Sequence, residues 1–491
     1  MGSEYELPRK SADLAFFGND KDGIINLTLK KEELNVLRFN PKTLEQTAAD
    51  LIELPEATKH FRSETVVNMG KNYYWMHRDF DKKSERTSLY YDKIDVITGN
   101  ITAANQKMLE SYEIGGRYYF NYNAEGNLLL ISYMLTPIDR RDKNNIDIFG
   151  FFVYDENMNK IWGGEYKMPY EQSMMNYNGY SIDSKGNAYM LVKIIDDTKT
   201  AHLEVLKFTK ENKAITRTPI AVNDYYIKES SLIESPAHEM IIASTYSKKG
   251  GKGTDGVFLA KIDTSGKVSK YKSGFYEFSL AELQKFEKEK TQKRMEKNDK
   301  EGEYEAPDLT VRNINIETDG SILIACEEYY ITQQTSSYTS SNGMVSYRTI
   351  STYHYDDILA AKINAKGEYQ WLRKIPKKQR GIPGMGGLPG TMGYKLISDT
   401  SGCYFLYLDN KKNMDLTEDE EPKAHIDGEG GQLMVAKISN TGIVTKELLF
   451  DTKEEDVMVF PQKFSKINSN QFIGRAKTQR NVYRPLLITT N

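Results

Sequence analysis

Residues 311–376 decide the fold. They read Asn313-Ile314-Asn315-Ile316, a turn at Asp319-Gly320, and Ile322-Leu323-Ile324-Ala325. After a long insertion come Ile358-Leu359-Ala360-Ala361-Lys362-Ile363, the turn Asn364-Ala365-Lys366-Gly367, and Tyr369-Gln370-Trp371-Leu372. Apolar runs of this length between Asp/Asn-x-x-Gly turns are strands joined by tight hairpins. Asx side chains bond their own backbone at the turn, and Gly supplies the positive φ that follows. Four such runs make one four-stranded antiparallel unit.

Working outward, the same pattern recurs at 14–54, 65–108, 118–168, 183–219, 240–271 and 394–449, which makes seven units in all. Three more strands follow, at 464–467, 472–474 and 486–489, and a fourth is absent. At the other end, Glu4-Tyr5-Glu6-Leu7-Pro8 has the form of a closing strand, like Leu51-Ile52-Glu53-Leu54-Pro55. A period of this size points to a repeat architecture. Residues 4–491 therefore read as all-β, a single β-propeller domain of eight four-stranded blades. The N-terminal strand closes the last blade, which removes two exposed sheet edges. Seven blades is the alternative, because the second unit lacks a clear Asp-x-x-Gly turn.

Composition narrows the function classes. The chain has 491 residues, 39% hydrophobic and 11% aromatic, enough for a sizeable core, and its 33 tyrosines suit half-buried strands. Its 66 basic and 69 acidic residues nearly cancel, which gives no electrostatic footprint for nucleic acid. No run approaches the ~18 apolar residues of a membrane span. Met1-Gly2-Ser3 reads as a cloning remnant before a mature start, so an export signal is expected to have preceded it. Cys326 and Cys403 fall at non-equivalent positions of neighbouring units and read as two buried thiols.

The insertions are more informative than the repeats. The turns between first and second, and third and fourth strands are tight. The excursions at 136–146, 247–255, 332–357 and 409–431 join second to third strands, and those at 279–309 and 377–393 join one unit to the next. In a propeller these two connection types emerge on one face, and insertions concentrated on one face commonly mark the binding face. Residues 279–300 read as one helix, with Ser279 as N-cap and Glu282 at capping-box spacing. It is either a solvated helix or a docking helix.

Residues 332–357 read as a projecting hairpin rich in Tyr, Ser and Thr, a composition that recurs in binding surfaces. Residues 377–393 are a Gly/Pro loop with a basic base and no phosphate-loop ending. The acidic loop around 415–421 invites either simple solvation or weak calcium binding. The candidate binding residues are Tyr330, Tyr347, Tyr353, His354 and Arg380. The six histidines show no zinc spacing and no Gly-x-Ser-x-Gly occurs, so no catalytic residue, metal ligand or cofactor is assigned.

Phe17–Ile25, the segment from Tyr329-Tyr330 to His354-Tyr355-Asp356-Asp357-Ile358, Trp371–Arg380 and the truncated final unit resemble the uncharacterised exported β-propeller-like proteins of Bacteroidota. The resemblance implies a propeller body and a periplasmic or outer-membrane-associated location, with the cytoplasm as alternative. It transfers no catalytic residue. The leading reading is a non-catalytic scaffold that recognises a protein or glycan partner at the cell envelope through its decorated face. A glycan hydrolase or lyase acting in the axial pocket, and an architectural subunit of an envelope complex, are the alternatives.

Overall fold

The computed structural model describes residues 1–490 apart from 55–57, 138, 140, 141, 143, 196–200, 223, 224, 249, 251, 252, 305, 340, 341, 343, 383–389 and 427–429. The regular structure is almost all strand, with two short α-helices and two 3₁₀ turns among the described residues. Among the described residues it forms eight separate antiparallel-based sheets, taken in turn along the sequence. Sheets 1 to 5 span 12–53, 62–112, 119–167, 175–220 and 226–277, each of four strands. Sheet 6 is built on 309–375, sheet 7 on 395–451 and sheet 8 on 458–489. The doubtful second unit is a complete sheet. It turns at Gly70 (φ +61°) rather than at an Asp-x-x-Gly.

The repeated turns form as their chemistry dictates. Asp183 Oδ1 accepts from the amides of Lys185 (3.0 Å) and Asn187 (2.8 Å), and Gly186 sits at φ +79°. Asn364 does the same for Lys366 and Glu368, with Gly367 at φ +76°. A side chain at Gly186 or Gly367 would be forced into the left-handed region, which costs about 1 kcal/mol or more.

Each apolar core is shared by two consecutive sheets, because the middle strands are buried on both faces. In sheet 6, Ile322, Ile324 and Cys326 pack toward sheet 5. The alternate residues Leu323 and Ala325 pack toward sheet 7. Both thiols are buried and free. The succession of cores has no free end: Tyr5, Leu7 and Ile473 pack with Phe16, Leu37 and Phe39, so sheet 8 meets sheet 1. The first strands of sheets 1 and 2, 3 and 4, 4 and 5, and 5 and 6 touch one another, as do those of sheets 8 and 1.

The N-terminal strand Tyr5–Glu6 pairs with Tyr483 and Val482, as its closing-strand form anticipates. Sheet 8 has five strands rather than four, because its first strand is split into Met458–Val459 and Ser465–Lys466 around the short helix Pro461–Lys463. Leu7 is buried and its amide donates to Asn481 O at 2.8 Å. Leu7→Ala is expected to cost about 2–4 kcal/mol, read as a lower denaturant midpoint. A cost no larger than that of Glu6→Ala, at an exposed site, would show that this strand does not hold sheet 8 to sheet 1.

The single helix expected over 279–300 is two helices, Leu280–Leu283 and Glu289–Lys300. Tertiary contacts break it. Ser279 makes no side-chain cap, and the Glu282 carboxylate instead accepts from the amide of Lys374 at 2.8 Å. Between the helices Phe286 takes φ +61° and its amide donates to Glu418 O at 2.6 Å. The acidic stretch is likewise tied down rather than free. Glu418 pairs with Lys285 (2.8 Å), and Glu421 pairs with Lys288 (2.9 Å) and Lys378 (2.5 Å). Asp427 and Glu429 lie outside the described residues. The insertions thus knit together over sheets 5 to 7.

Candidate functional site at the root of the long hairpin

Strands Ile322–Thr339 and Val345–Ile363 form one long antiparallel hairpin. Its lower half belongs to sheet 6. Its upper half continues for nine cross-strand pairs, from Ile331–Tyr353 to Thr339–Val345. A bulge between Glu327 and Tyr329 separates the halves and sets the register above it. That register sorts the candidate residues, because strand side chains alternate between faces.

Tyr330 and His354 are cross-strand partners, and Arg380 lies opposite His354 on the short strand Gln379–Gly381. These three share one face as a row. The Tyr330 and His354 rings stack at 4.3 Å with planes 7° apart, and the Tyr330 hydroxyl donates to Asp356 Oδ2 at 3.1 Å. His354 Nε2 and Thr332 Oγ1 are 2.9 Å apart. Burial, followed by the charges of Arg380 and Lys378, lowers the imidazole pKa and favours its neutral form. Arg380 is exposed.

Tyr353 and Tyr347 sit on the opposite face. Tyr353 pairs with Ile331, and Tyr347 stands near the tip with three-quarters of its surface exposed (75%). The five residues are therefore one row of three and two separate tyrosines.

The Gly/Pro loop and the acidic loop both dock at this root. Gln379–Gly381 pairs with Tyr353–Tyr355, and His425–Ile426 adds in parallel beyond it. The basic base of 377–393 is thus ordered as a strand, while 383–389 lie outside the described residues.

Below the row lies an ionic layer whose members are scattered along the sequence. On one side Lys377 is fully buried; its ammonium donates to Glu327 Oε1 (2.9 Å), Tyr355 O (2.6 Å) and Gln379 Oε1 (3.3 Å). Glu327, 1% exposed, also receives Arg312 Nε at 3.0 Å. On the other side Lys374 holds Asp357 (2.8 Å) and Glu287 (3.2 Å), which pins the helical insertion to sheet 6. Burial works against that ammonium, but the two carboxylates raise its pKa.

Glu328 is the exception in this layer. Among the described residues its carboxyl makes no side-chain hydrogen bond. Burial, then the charges of Asp357 and Asp356, push its pKa up to about 8, against the partial relief of Lys374. Burial likewise raises Asp356 and Glu287. The signal for this layer was present in the sequence. Glu327-Glu328 end an apolar strand whose partner begins Asp356-Asp357, and Lys374, Lys377 and Lys378 follow on the adjoining segment.

No protein-family model matches the sequence, and no curated protein matches it. Similar solved structures include a protein of unknown function from Dyadobacter fermentans, 11% identical with TM-score 0.36 over 79% of this chain and 94% of that one. The polysaccharide lyase Uly1 is 11% identical with TM-score 0.35, over 99% and 92%. The β-propeller domain of the Trilobed protease from Pyrococcus furiosus is 13% identical with TM-score 0.37, over 91% and 97%.

No helix among the described residues is long and apolar enough to cross a membrane.

Proposed function

We propose that the chain is an eight-bladed propeller that recognises a protein partner through its decorated face, at the cell envelope, without catalysing a reaction. The observation that carries this reading is the projecting half of the hairpin. Ile331, Tyr338, Met344, Val345 and Tyr347 are all exposed there, and Arg348 is the one ionic residue in 331–353. Among the described residues no further strand pairs with either edge of 331–339 or 345–352. A two-stranded ribbon alone is marginally stable in water, and open edges flanked by apolar side chains suit an added extended strand. The eight sheets and the core joining the last to the first support the propeller.

Within this reading Tyr347, Tyr353 and Arg380 are contact residues, joined by Tyr338, while Tyr330 and His354 hold the root in shape. Tyr338→Ala with Tyr347→Ala is expected to shift stability by no more than about 0.5 kcal/mol and to weaken partner capture about tenfold or more. Pull-down from the native host with the full chain, scored against thermal melting, checks both. Retained capture, or a large loss of stability, defeats the reading. Capture of a stable complex that survives loss of the ribbon would favour the architectural role.

The hydrolase or lyase reading asks for paired carboxylates, or a carboxylate with His or Tyr, in the axial pocket. The described residues lining the cavity where sheets 7, 8, 1 and 2 meet include one carboxylate, Asp13, and neither His nor Tyr. The grouping of carboxylate, His and Tyr occurs at the hairpin root and in a cavity over the turns of sheets 3 to 5, lined by Glu125, Asp183, Glu234, His238 and Tyr189; hydrogen bonds already engage it in both places.

A further inference from the structure

Four consecutive sheets, 7, 8, 1 and 2, converge on a cavity of about 360 Å³. Only a space at the hub can be reached by four successive sheets at once. Among the described residues its charge is unbalanced: Lys395, Lys463 and Arg475 line it against a single carboxylate, Asp13.

Asp13 is already committed. Its Oδ1 accepts from Asn26 Nδ2 at 3.2 Å, and its Oδ2 is engaged by the Arg475 guanidinium, with Lys463 Nζ 4.0 Å away. Two positive charges remain uncompensated. Arg475 is only 5% exposed, with its guanidinium carbon 4.7 Å over the Tyr483 ring, so its charge acts on the cavity through the field rather than by direct contact. The Lys395 ammonium makes no hydrogen bond or ion pair among the described residues, and burial lowers its pKa. Lys463 is lowered by burial and then by Arg475.

Folding thus gathers three cations in one place, with apolar walls at Phe17 and Phe464, and leaves the Lys395 ammonium without a protein partner among the described residues. A cleft lined by one sign of charge concentrates counter-ions of the other. The volume falls within the range of small-molecule sites, roughly 300–1,000 Å³.

We infer that this hub cavity binds an oxyanion, the phosphate or carboxylate of a small ligand, through the ammonium groups of Lys395 and Lys463, in the positive field of the Arg475 guanidinium. The site is independent of the projecting hairpin and of its partner. Ammonium donors to an anion make the stronger, charge-assisted class of hydrogen bond. Such binding also relieves the repulsion among the three cations.

The test is calorimetric titration of the full chain at low salt with inorganic phosphate and, separately, with glucuronate. One saturable site is expected, weakened by added chloride. Tighter binding of glucuronate assigns a carboxylated body lying on the phenylalanine walls, and tighter binding of phosphate assigns a phosphate pocket.

Arg475→Gln risks the fold, so the Lys395→Gln/Lys463→Gln variant carries the test. Its affinity should fall about tenfold or more, and its melting temperature should hold or rise as like charges are removed. Absence of binding by both anions at millimolar concentration overturns the inference. So does binding that the double variant leaves undiminished.

Discussion

Glu328→Gln is expected to stabilise the protein at pH 8 and to flatten the pH dependence of its stability. The carboxyl faces Asp356 and Asp357 from its own hairpin, Glu287 from the helical insertion and Lys374 from the next strand, and its pKa is pushed from 4.5 to about 8. Because the folded value lies above the unfolded one, the folded state holds the proton more tightly between those limits. Below about pH 4.5 both states are protonated and the group contributes nothing. As pH rises toward 8 the unfolded state ionises first and stability falls.

The loss across that window is on the order of 4 kcal/mol. Asp356 and Glu287, also raised, add in the same direction. Gln is a neutral near-isostere of the protonated carboxyl, so it keeps the packing and removes the titration. Denaturant unfolding at pH 5 and pH 8 reads the effect. If the variant loses as much stability between the two as the native chain does, Glu328 is not the titrating group.

Lys377→Met is expected to destabilise the protein by about 3–5 kcal/mol, the range for breaking a buried ion pair. Glu327 would keep only Arg312, whose side chain is one-third exposed, while Tyr355 O and Gln379 Oε1 lose their donor. The arrangement predicts strong non-additivity. Combining Lys377→Met with Glu327→Gln should recover much of the loss, with a coupling of about 1–3 kcal/mol. A single-variant cost below about 1 kcal/mol would mean that water reaches the pair. A mere additive double variant would mean that the two groups do not depend on each other.

The readable and unreadable parts of this molecule divide by the range of the interactions. The Asp183 and Asn364 turns are local: one side chain, two amides and a glycine decide them, so the strands on either side follow from sequence. The closing role of Tyr5–Glu6 is non-local, yet it was legible because the last unit lacked a fourth strand. The stretch 279–300 departs from a single helix because its N-terminal signals are used elsewhere. Glu282 serves Lys374, and Phe286 turns to meet Glu418. Neither contact leaves a mark on local propensity. Gln379–Gly381 and His425–Ile426 carry a loop-like sequence for the same reason, since their pairing partners lie far along the chain.

At the site, residue types were legible and their grouping was not. Tyr330, His354 and Arg380 form a row, while Tyr347 and Tyr353 face the other way. A single bulge at Glu327/Tyr329 sets that register, and a one-residue slip moves every later side chain to the opposite face. Glu328 was passed over although its neighbours are all visible in the sequence. Five carboxylates and three lysines spread over 287–378 become one layer only when the sheet and the helical insertion are packed together.

By itself the sequence determined the strand period, the tight turns, the placement of the insertions and the closure by the N-terminal strand, because these rest on alternation and on turn chemistry within a few residues. The tertiary structure alone decided which cations and carboxylates meet. Those charges come from different sheets, and their energies depend on distance and burial that no local pattern encodes.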